Sequence, residues 1–356
     1  MAREPLSIQG YSHTRQFCTW PDCTSVTLPK MAVRVAVVGC GYWGRNLVRV
    51  FHELEALCAV CDVNAGLAAK FSSEYSVPSL DWVKILEDRS IDAVAIATPA
   101  KGHSTQALEA LQAGKHAFVE KPLALCSYEA EEIIATADRG DRVLMVGHLL
   151  QYHPAFLTLR DLADAGKLGQ LQYIYSNRLN FGKVRREENV FWSFAPHDIS
   201  MILSLTGEMP NSILAKGASY LHNAIADVTN TYLTFPSGVN AHIFVSWLHP
   251  FKEQKLIVVG SDSMVVFDDM KDWGEKLQLY PHRIGWHEGL PDPERGEAEL
   301  VAVEQGEPLK IEGQHFIDCV RDGGTPRTNG AEALRVLRVL EATERRLTEQ
   351  HSGESQ

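Results

Sequence analysis

The chain of 356 residues has no run of about 18 consecutive apolar residues, so no membrane-spanning helix is expected. Its first 30 residues lack the apolar core of a secretory leader. Positive charge is in deficit: 34 Lys and Arg stand against 45 Asp and Glu, a net charge of -11. That leaves no basic footprint for nucleic acid or an anionic membrane. The seven cysteines (Cys18, Cys23, Cys40, Cys58, Cys61, Cys126 and Cys319) are odd in number and irregularly spaced. They do not form a disulfide framework and fit a reducing cytoplasm. Cys58 and Cys61 form a C-x-x-C, but inside Ala56-Leu57-Cys58-Ala59-Val60-Cys61-Asp62, which reads as a buried strand. A redox pair needs its first thiol at a helix N-terminus, so inert core thiols are expected here. No second cysteine pair stands at zinc spacing, and Cys18, Cys23 and His13 complete no metal set, so no metal is expected. No internal repeat is present.

What remains is an ordinary globular composition, 45% hydrophobic and 22% charged, long enough for two domains. Residues 1–30 are polar, carry Pro5, Pro21 and Pro29, and read as a flexible arm. From Val33 a regular grammar begins. Val33–Val38 reads as a strand, Gly39-Cys40-Gly41-Tyr42-Trp43-Gly44 as a glycine-rich turn, and the next stretch as a helix with Leu47, Val48, Val50 and Phe51 on its apolar face. A second strand over 56–61 ends at Asp62, 18 residues past Gly44. This is the dinucleotide fingerprint in its required context. Gly39 permits the tight turn, Gly41 a close approach by a pyrophosphate, and Gly44 close helix packing. The helix N-terminus offers free N–H groups to phosphate. An acid at Asp62 suits the ribose hydroxyls of NAD and repels the 2′-phosphate of NADP.

Helices over Asn64–Ser73 and Trp82–Glu87 (capped by Asp81), a strand over Ile91–Ala97, and a helix over Gly102–Ala113 closed by Gly114 continue the alternation. The next strand, His116–Val119, runs into Glu120-Lys121-Pro122. A core strand of a parallel sheet reads as continuous apolar sequence, so a lysine at its end is unusual. The proline ends the ladder and biases Lys121 toward extended backbone. A cation is thereby expected at the carboxyl edge of the sheet, where open α/β sheets bind ligands. A helix over Ser127–Asp138 and a strand over Arg142–Val146 complete the unit.

After about residue 150 the pattern changes. A helix over His153–Ala165 precedes long strand-like runs at Leu171–Phe181, Ile213–Leu221, Thr229–Phe235, Val239–Trp247, Lys255–Val259 and Met264–Asp268. Pro236-Ser237-Gly238 reads as a hairpin turn. Segment 281–310, rich in Pro, Gly and Glu, is expected to be a surface loop, followed by helices over Gly313–Arg321 and Ala331–Gln350. The fold expected is α/β. It comprises a doubly wound Rossmann sheet in residues 31–148, then an α+β domain with a large, mostly antiparallel open sheet in 149–330. A C-terminal helix (331–350) and a disordered tail (351–356) follow.

A second dense patch is Trp192-Ser193-Phe194-Ala195-Pro196-His197-Asp198-Ile199. Ile199, Ile202 and Leu203 have helical spacing, so a helix starts near Pro196 or His197. A histidine there feels the positive end of the dipole and is favoured as a neutral base; the alternative is a packed histidine at a domain junction. Upstream, Arg178, Asn180, Lys183, Arg185 and Arg186 lie close together in an otherwise acidic chain. They form either a solvated face or a cradle for a phosphate or carboxylate.

These motifs together resemble the glucose-fructose oxidoreductase, inositol dehydrogenase and rhizopine-catabolism family. The resemblance covers residues 33–348 and rests on Gly39–Gly44, Thr98-Pro99 with His103, Ala113-Gly114-Lys115-His116, Glu120-Lys121-Pro122, His197-Asp198, His315-Phe316-Ile317-Asp318 and Gly330–Leu340. It implies NAD as cofactor. The cofactor contacts it implies, with the fingerprint, are Gly39, Gly41, Tyr42, Trp43, Gly44, Asp62, Thr98, His103, Glu120 and Lys121. Lys121 and His197 are implied as the catalytic pair, touching substrate together with Arg178 and Asn180. Sugar and inositol members carry Asp four residues before the histidine; this chain carries Ser193. Arg178-x-Asn180 and Phe194-Ala195-Pro196-His197-Asp198 resemble the nucleotide-sugar branch, whose members oxidise the 3-hydroxyl of UDP-N-acetylglucosamine or its uronic acid. The expected partner is thus a sugar or nucleotide-sugar, in a homodimer or homotetramer formed through the second-domain sheet. A free-sugar or inositol dehydrogenase and a non-catalytic NAD-binding regulator are the alternatives.

Overall fold

Short runs of branched or small apolar residues build a first sheet buried on both faces. Its strands are β1 (Val35–Val38), β2 (Leu57–Cys61), β3 (Ala93–Ile96), β4 (His116–Val119) and β5 (Leu144–Val146). All pair in parallel in the order β2-β1-β3-β4-β5. Between them run α1 (Gly44–Glu53), α2 (Ala65–Tyr75), α3 (Trp82–Glu87), α4 (His103–Gln112) and α5 (Ser127–Gly140). The side chains of Asn64 and Asp81 cap α2 and α3 by accepting backbone N–H groups. A third fingerprint strand is reduced to one bridge: Val60 N–H donates to Pro78 O and Leu80 N–H to Val60 O. Pro78 has no N–H to extend that ladder. The strand order reverses beside β1, which opens a crevice at the carboxyl ends of β1 and β3.

The computed structural model describes residues 32–353 apart from 183, 223 and 224. The N-terminal arm, Lys183 and the last three residues therefore lie outside the described residues. The C-terminal helix runs on to Gly353, beyond the expected end at Gln350.

After β5 come α6 (Pro154–Asp164), the long β6 (Leu171–Phe181), the short α7 (Val190–Phe194) and α8 (Pro196–Thr206). Then follow β7 (Ser212–Ala218), β8 (Val228–Thr234), β9 (Asn240–Ser246), β10 (Leu248–Gly260) and β11 (Ser263–Asp268). Three further strands are β12 (Leu277–His287), β13 (Leu290–Arg295) and β14 (Glu299–Leu300). They join one nine-stranded sheet, β13-β12-β11-β10-β6-β9-β8-β7, with β14 beside β12. Only β6 and β9 pair in parallel. The expected loop over 281–310 is thus corrected: its first half is a hairpin, turned at Glu288 and Gly289, both at positive φ. Its glycine, prolines and acids read as loop because β13 is exposed along its whole length and edge strands tolerate Pro291 and Pro293.

Two helices close the chain, α9 (Pro308–Asp322) and α10 (Gly330–Gly353). Phe316 of α9 meets Phe51 of α1 and Phe118 of β4 edge-on, at ring separations of 6.3 and 5.7 Å. The division of the chain drawn from sequence at residue 330 does not follow this packing, because α9 belongs to the core of the first sheet.

Candidate active site

The glycine-rich turn is built for a close-lying ligand. Gly39 has φ +89°, and a Cβ there would lie 2.8 Å from the Ala97 backbone. A Cβ on Gly44 would collide with the Gly39 carbonyl, whereas one on Gly41 would meet nothing within 4 Å. The turn is therefore tight on its protein side and open on the other. No acidic residue occupies the first turn of α1 and no side chain caps it; Arg45 N–H donates to Gly41 O at 3.2 Å and Asn46 N–H to Trp43 O at 2.8 Å, so it is the positive end of the helix dipole that faces an anion on the open side of the turn. At the end of β2 one Asp62 oxygen accepts the Cys40 N–H at 2.6 Å and the other the Asn64 N–H at 2.7 Å. Both oxygens keep lone pairs for ribose hydroxyls. A cavity of about 560 Å³ opens here, lined by Gly39, Gly41, Asp62, Val63, Thr98 and Pro99. The residues present fit a dinucleotide.

Tyr42 stands exposed at the mouth with the Arg45 guanidinium 4.9 Å from its ring centre. Trp43 turns the other way, and its indole N–H donates to Glu120. Glu120 is buried, and burial pushes its carboxyl up to about 7. Glu312, on α9, is a second buried acid near it; neither oxygen has a partner, and burial raises its pKa well above the carboxylate range. The motif marked Glu120, but nothing in the sequence marked Glu312.

His103, implied as a cofactor contact, has its Nδ1 2.8 Å from the Pro122 carbonyl and its Nε2 2.8 Å from the Thr98 carbonyl. Burial favours the neutral ring, which donates through one of the two nitrogens and sits between the end of β3 and the turn after β4. That turn contains the cis Lys121–Pro122 peptide.

Lys121 points across to the second sheet's helices. Its Nζ donates to the backbone carbonyl of Ser193 at 3.0 Å. Position 193 thus supplies a neutral backbone acceptor to the lysine. Burial lowers the Lys121 pKa, Glu188 and Glu120 push it back up, and Arg185 and Arg178 lower it further. The carbonyl is held in place because α7 is fastened at both ends. Asn189 caps it, and Asn189 and Trp192 both donate to Glu344 of α10.

Proline at the first position of α8 places His197 one residue into the helix. Burial drives its pKa well below the usual value, with Lys121, Arg178 and His148 adding to the shift. Its Nδ1 is enclosed and unpartnered, which leaves Nε2 as the nitrogen able to face the cleft. Asp198, beside it, is fully committed. It takes a bidentate pair from Arg178 at 2.7 and 3.0 Å and the Ser176 hydroxyl at 2.5 Å. The sequence put Arg178 on substrate; the structure buries it and spends its charge on Asp198, locking β6 to α8 beneath His197. Asn180, two residues further along the same face of β6, is half-buried and keeps its amide unbonded among the described residues. In the basic cluster Arg185 pairs with Glu188 at 3.0 Å. The thiols of Cys58 and Cys61 are free and buried, with pKa values raised by burial.

Known proteins are similar to this chain in sequence and fold. Residues 33–148 match the family model described as "oxidoreductase family, NAD-binding Rossmann fold", and residues 156–266 match the GFO/IDH/MocA C-terminal domain. UDP-N-acetylglucosamine 3-dehydrogenase of Acidithiobacillus ferrooxidans is 30% identical over 87% of this chain and 98% of its own length. A crystal structure of that enzyme superposes with a TM-score of 0.79 at 27% identity, covering 89% of this chain and 98% of the other. The scyllo-inositol 2-dehydrogenase (NAD+) of Bacillus subtilis is 26% identical over 86% of this chain and 92% of its own length. The glycine turn with Asp62, the lysine at the end of β4 and both family matches agree: this chain belongs to the GFO/IDH/MocA oxidoreductase family and is an oxidoreductase with an NAD-binding Rossmann domain.

Proposed function

We propose that the protein oxidises a secondary hydroxyl, C3, of a nucleotide-linked sugar such as UDP-N-acetylglucosamine or its uronic acid. The observation that carries this reading is the Lys121–Ser193 contact, which brings the lysine of the first sheet onto the turn preceding His197. Bound at the glycine turn, NAD supplies the hydride acceptor. Asp62 takes the ribose hydroxyls and its charge disfavours a 2′-phosphate. The substrate hydroxyl lies between Lys121 and His197. One takes its proton while the other donates a hydrogen bond to the oxygen. A lysine facing a neutral carbonyl in a desolvated site loses its proton more readily than one paired with aspartate, which favours Lys121 as the base. Asn180, and Arg185 where it exchanges its ion pair with Glu188, are the groups proposed to meet a diphosphate or carboxylate on the substrate.

The similarity to the enzyme of Acidithiobacillus supports the nucleotide-sugar branch. The similarity to an inositol dehydrogenase supports a second reading, oxidation of an unlinked polyol. NADH formation across a panel of UDP-sugars and free polyols separates them. Turnover of UDP-N-acetylglucosamine or its uronic acid alone supports the first reading; turnover of inositols alone overturns it. Asp62→Ala is expected to weaken NAD binding and narrow the preference for NAD over NADP.

Self-association through the open sheet belongs to the same reading. Asp198 of α8 reaches Ser176 and Arg178, so the alternate residues of β6 face away from the helices. On that face Tyr175 stacks on His242 of β9 at 5.2 Å, and Tyr232 of β8 lies 5.6 Å from His242. Tyr232, Leu214 and, on the hairpin, Trp286 are exposed. Such a surface suits a homodimer or homotetramer. Light scattering should give at least twice the chain mass, and Tyr232→Glu with Trp286→Glu should lower it.

A further inference from the structure

At the cleft end of β6 the register against β10 breaks. Leu248 pairs with Phe181 and Glu253 with Leu179, so the segment His249-Pro250-Phe251-Lys252 stands opposite the single residue Asn180. Pro250 explains the break, because it has no N–H to give the ladder. The bulge is nonetheless held in shape. His249 Nδ1 lies 3.2 Å from the Phe251 carbonyl, and the two rings meet edge-on with centres 4.3 Å apart. A bulge re-aims the side chains beside it.

The pairing fixes which face each side chain takes. Arg178 of β6 points to the helix side, where it holds Asp198, and the amide of its register partner Gln254 lies 3.3 Å from Arg178 Nη1. Glu253 points the other way, accepting the Asn177 amide at 2.7 Å, with Lys255 Nζ at 3.9 Å. By the alternation of a strand, Lys252 returns to the side of Gln254 and Arg178, beside Asn180. Lys252 is exposed and enters no ion pair among the described residues. Asn180 sits over Gly182, where a Cβ would lie 2.7 Å from its Nδ2. An ammonium and an amide, both unspent, thus share the helix-side face just beyond Arg178, whose charge reaches both Lys121 and His197. They stand one step along the strand from the reacting hydroxyl, where the rest of a linked substrate would run.

We propose that Lys252, presented by this bulge and helped by the Asn180 amide, binds the diphosphate of the nucleotide-linked substrate. A lysine ammonium is a point charge with three donors and suits a phosphate group. An unlinked sugar or inositol brings no anion to this position, so Lys252 separates linked from free substrates without touching the hydroxyl that reacts. The inference rests on the nucleotide-sugar reading and adds to it the residue that recognises the linkage.

The test uses the full chain with NAD, as wild type, Lys252→Gln and Lys252→Arg. With UDP-N-acetylglucosamine, Lys252→Gln is expected to raise KM about tenfold, the loss falling on KM and not on kcat because the contact is equal in ground and transition states. Lys252→Arg should recover most of that loss, since it keeps the charge. Titration calorimetry with UDP alone should show a weakening of the same size in Lys252→Gln, and added salt should weaken UDP binding more in wild type than in that variant. Unchanged KM and UDP affinity in Lys252→Gln overturn the inference while the nucleotide-sugar reading stands. A loss with the uronic acid but not with UDP-N-acetylglucosamine also overturns it, because Lys252 would then read the carboxylate. So does a lower mass by light scattering with KM unchanged, which would make the bulge a contact between copies. Wild-type protein that oxidises no UDP-sugar and binds no UDP fails the nucleotide-sugar reading itself, and this inference with it.

Discussion

Two lysines bracket the same strand, Lys115 just before β4 and Lys121 just after it, and the sheet has given them opposite fates. Lys115 is buried and Lys121 half-buried, and burial lowers both pKa values. Lys115 lies at the amino edge, where its Nζ donates to the carbonyls of Asp88 and Ile91 and the acids Asp88 and Asp92 hold its charge. Lys121 lies at the carboxyl edge, with one carbonyl to bond, two acids (Glu188 and Glu120) supporting its charge and two arginines opposing it. The same residue type is a rivet at one end of the strand and, in the proposed mechanism, a reactive amine at the other. What distinguishes them is how many acceptors the fold supplies and which crevice the strand end faces.

That comparison breaks most visibly at Lys121. Lys121→Met is expected to lower kcat by about a thousandfold while leaving NAD binding and thermal stability near wild type, the loss typical of a removed acid–base group. If NAD affinity measured by fluorescence fell in parallel, Lys121 would be a cofactor anchor and the contrast would fail. Its neighbour Glu120 is expected to act on stability. A carboxyl held at about 7 when folded and 4.5 when free binds its proton more tightly in the fold. Stability is therefore full below pH 4.5 and declines as pH rises through about 7. Above pH 7, Glu120→Gln should be the more stable protein by about 3 kcal/mol, read from denaturant curves at pH 5 and 8. Lys115→Met should cost about 2 kcal/mol by leaving buried carbonyls unpaired, with kcat untouched. A drop in kcat at unchanged stability would erase the difference between the lysines. The smallest effect sharpens the contrast. Glu188 raises and Arg185 lowers the Lys121 pKa. A base must be unprotonated, so activity is lost as pH falls. Glu188→Gln should move that acidic limb to lower pH, and Arg185→Gln to higher pH.

Much of this was legible in the chain. Local signals set the first sheet: apolar runs, glycine turns and caps such as Asn64 and Asp81 act within a few residues. Lys121 and His197 were visible because each breaks a local pattern, a cation ending a core strand and a histidine opening a helix. The bond of Lys121 to Ser193 was not visible, since it spans 72 residues and uses a backbone atom that any residue possesses. Arg178 looked like a ligand group because sequence shows its charge and not its partner; Asp198 lies 20 residues on and takes that charge. His103 was implied as a cofactor contact by the family resemblance, and its contacts with the Thr98 and Pro122 carbonyls left no mark in the sequence. The hairpin over 277–295 was missed because β13 is exposed throughout and β12 is buried only at Leu277, so no alternation of apolar and polar residues marks them. Phe316 carried no sign that it would return to the first core, because the contact depends on where α9 docks.

The account stands or falls on hydride leaving a sugar carbon in this site. UDP-N-acetylglucosamine or its uronic acid carrying deuterium at C3, incubated with NAD and the protein, gives the direct measurement. The account predicts deuterium on the nicotinamide ring of the NADH formed, found by mass spectrometry, and none with Lys121→Met. Deuterium retained at C3 while NADH accumulates from another carbon, or no NADH with either sugar, would contradict it.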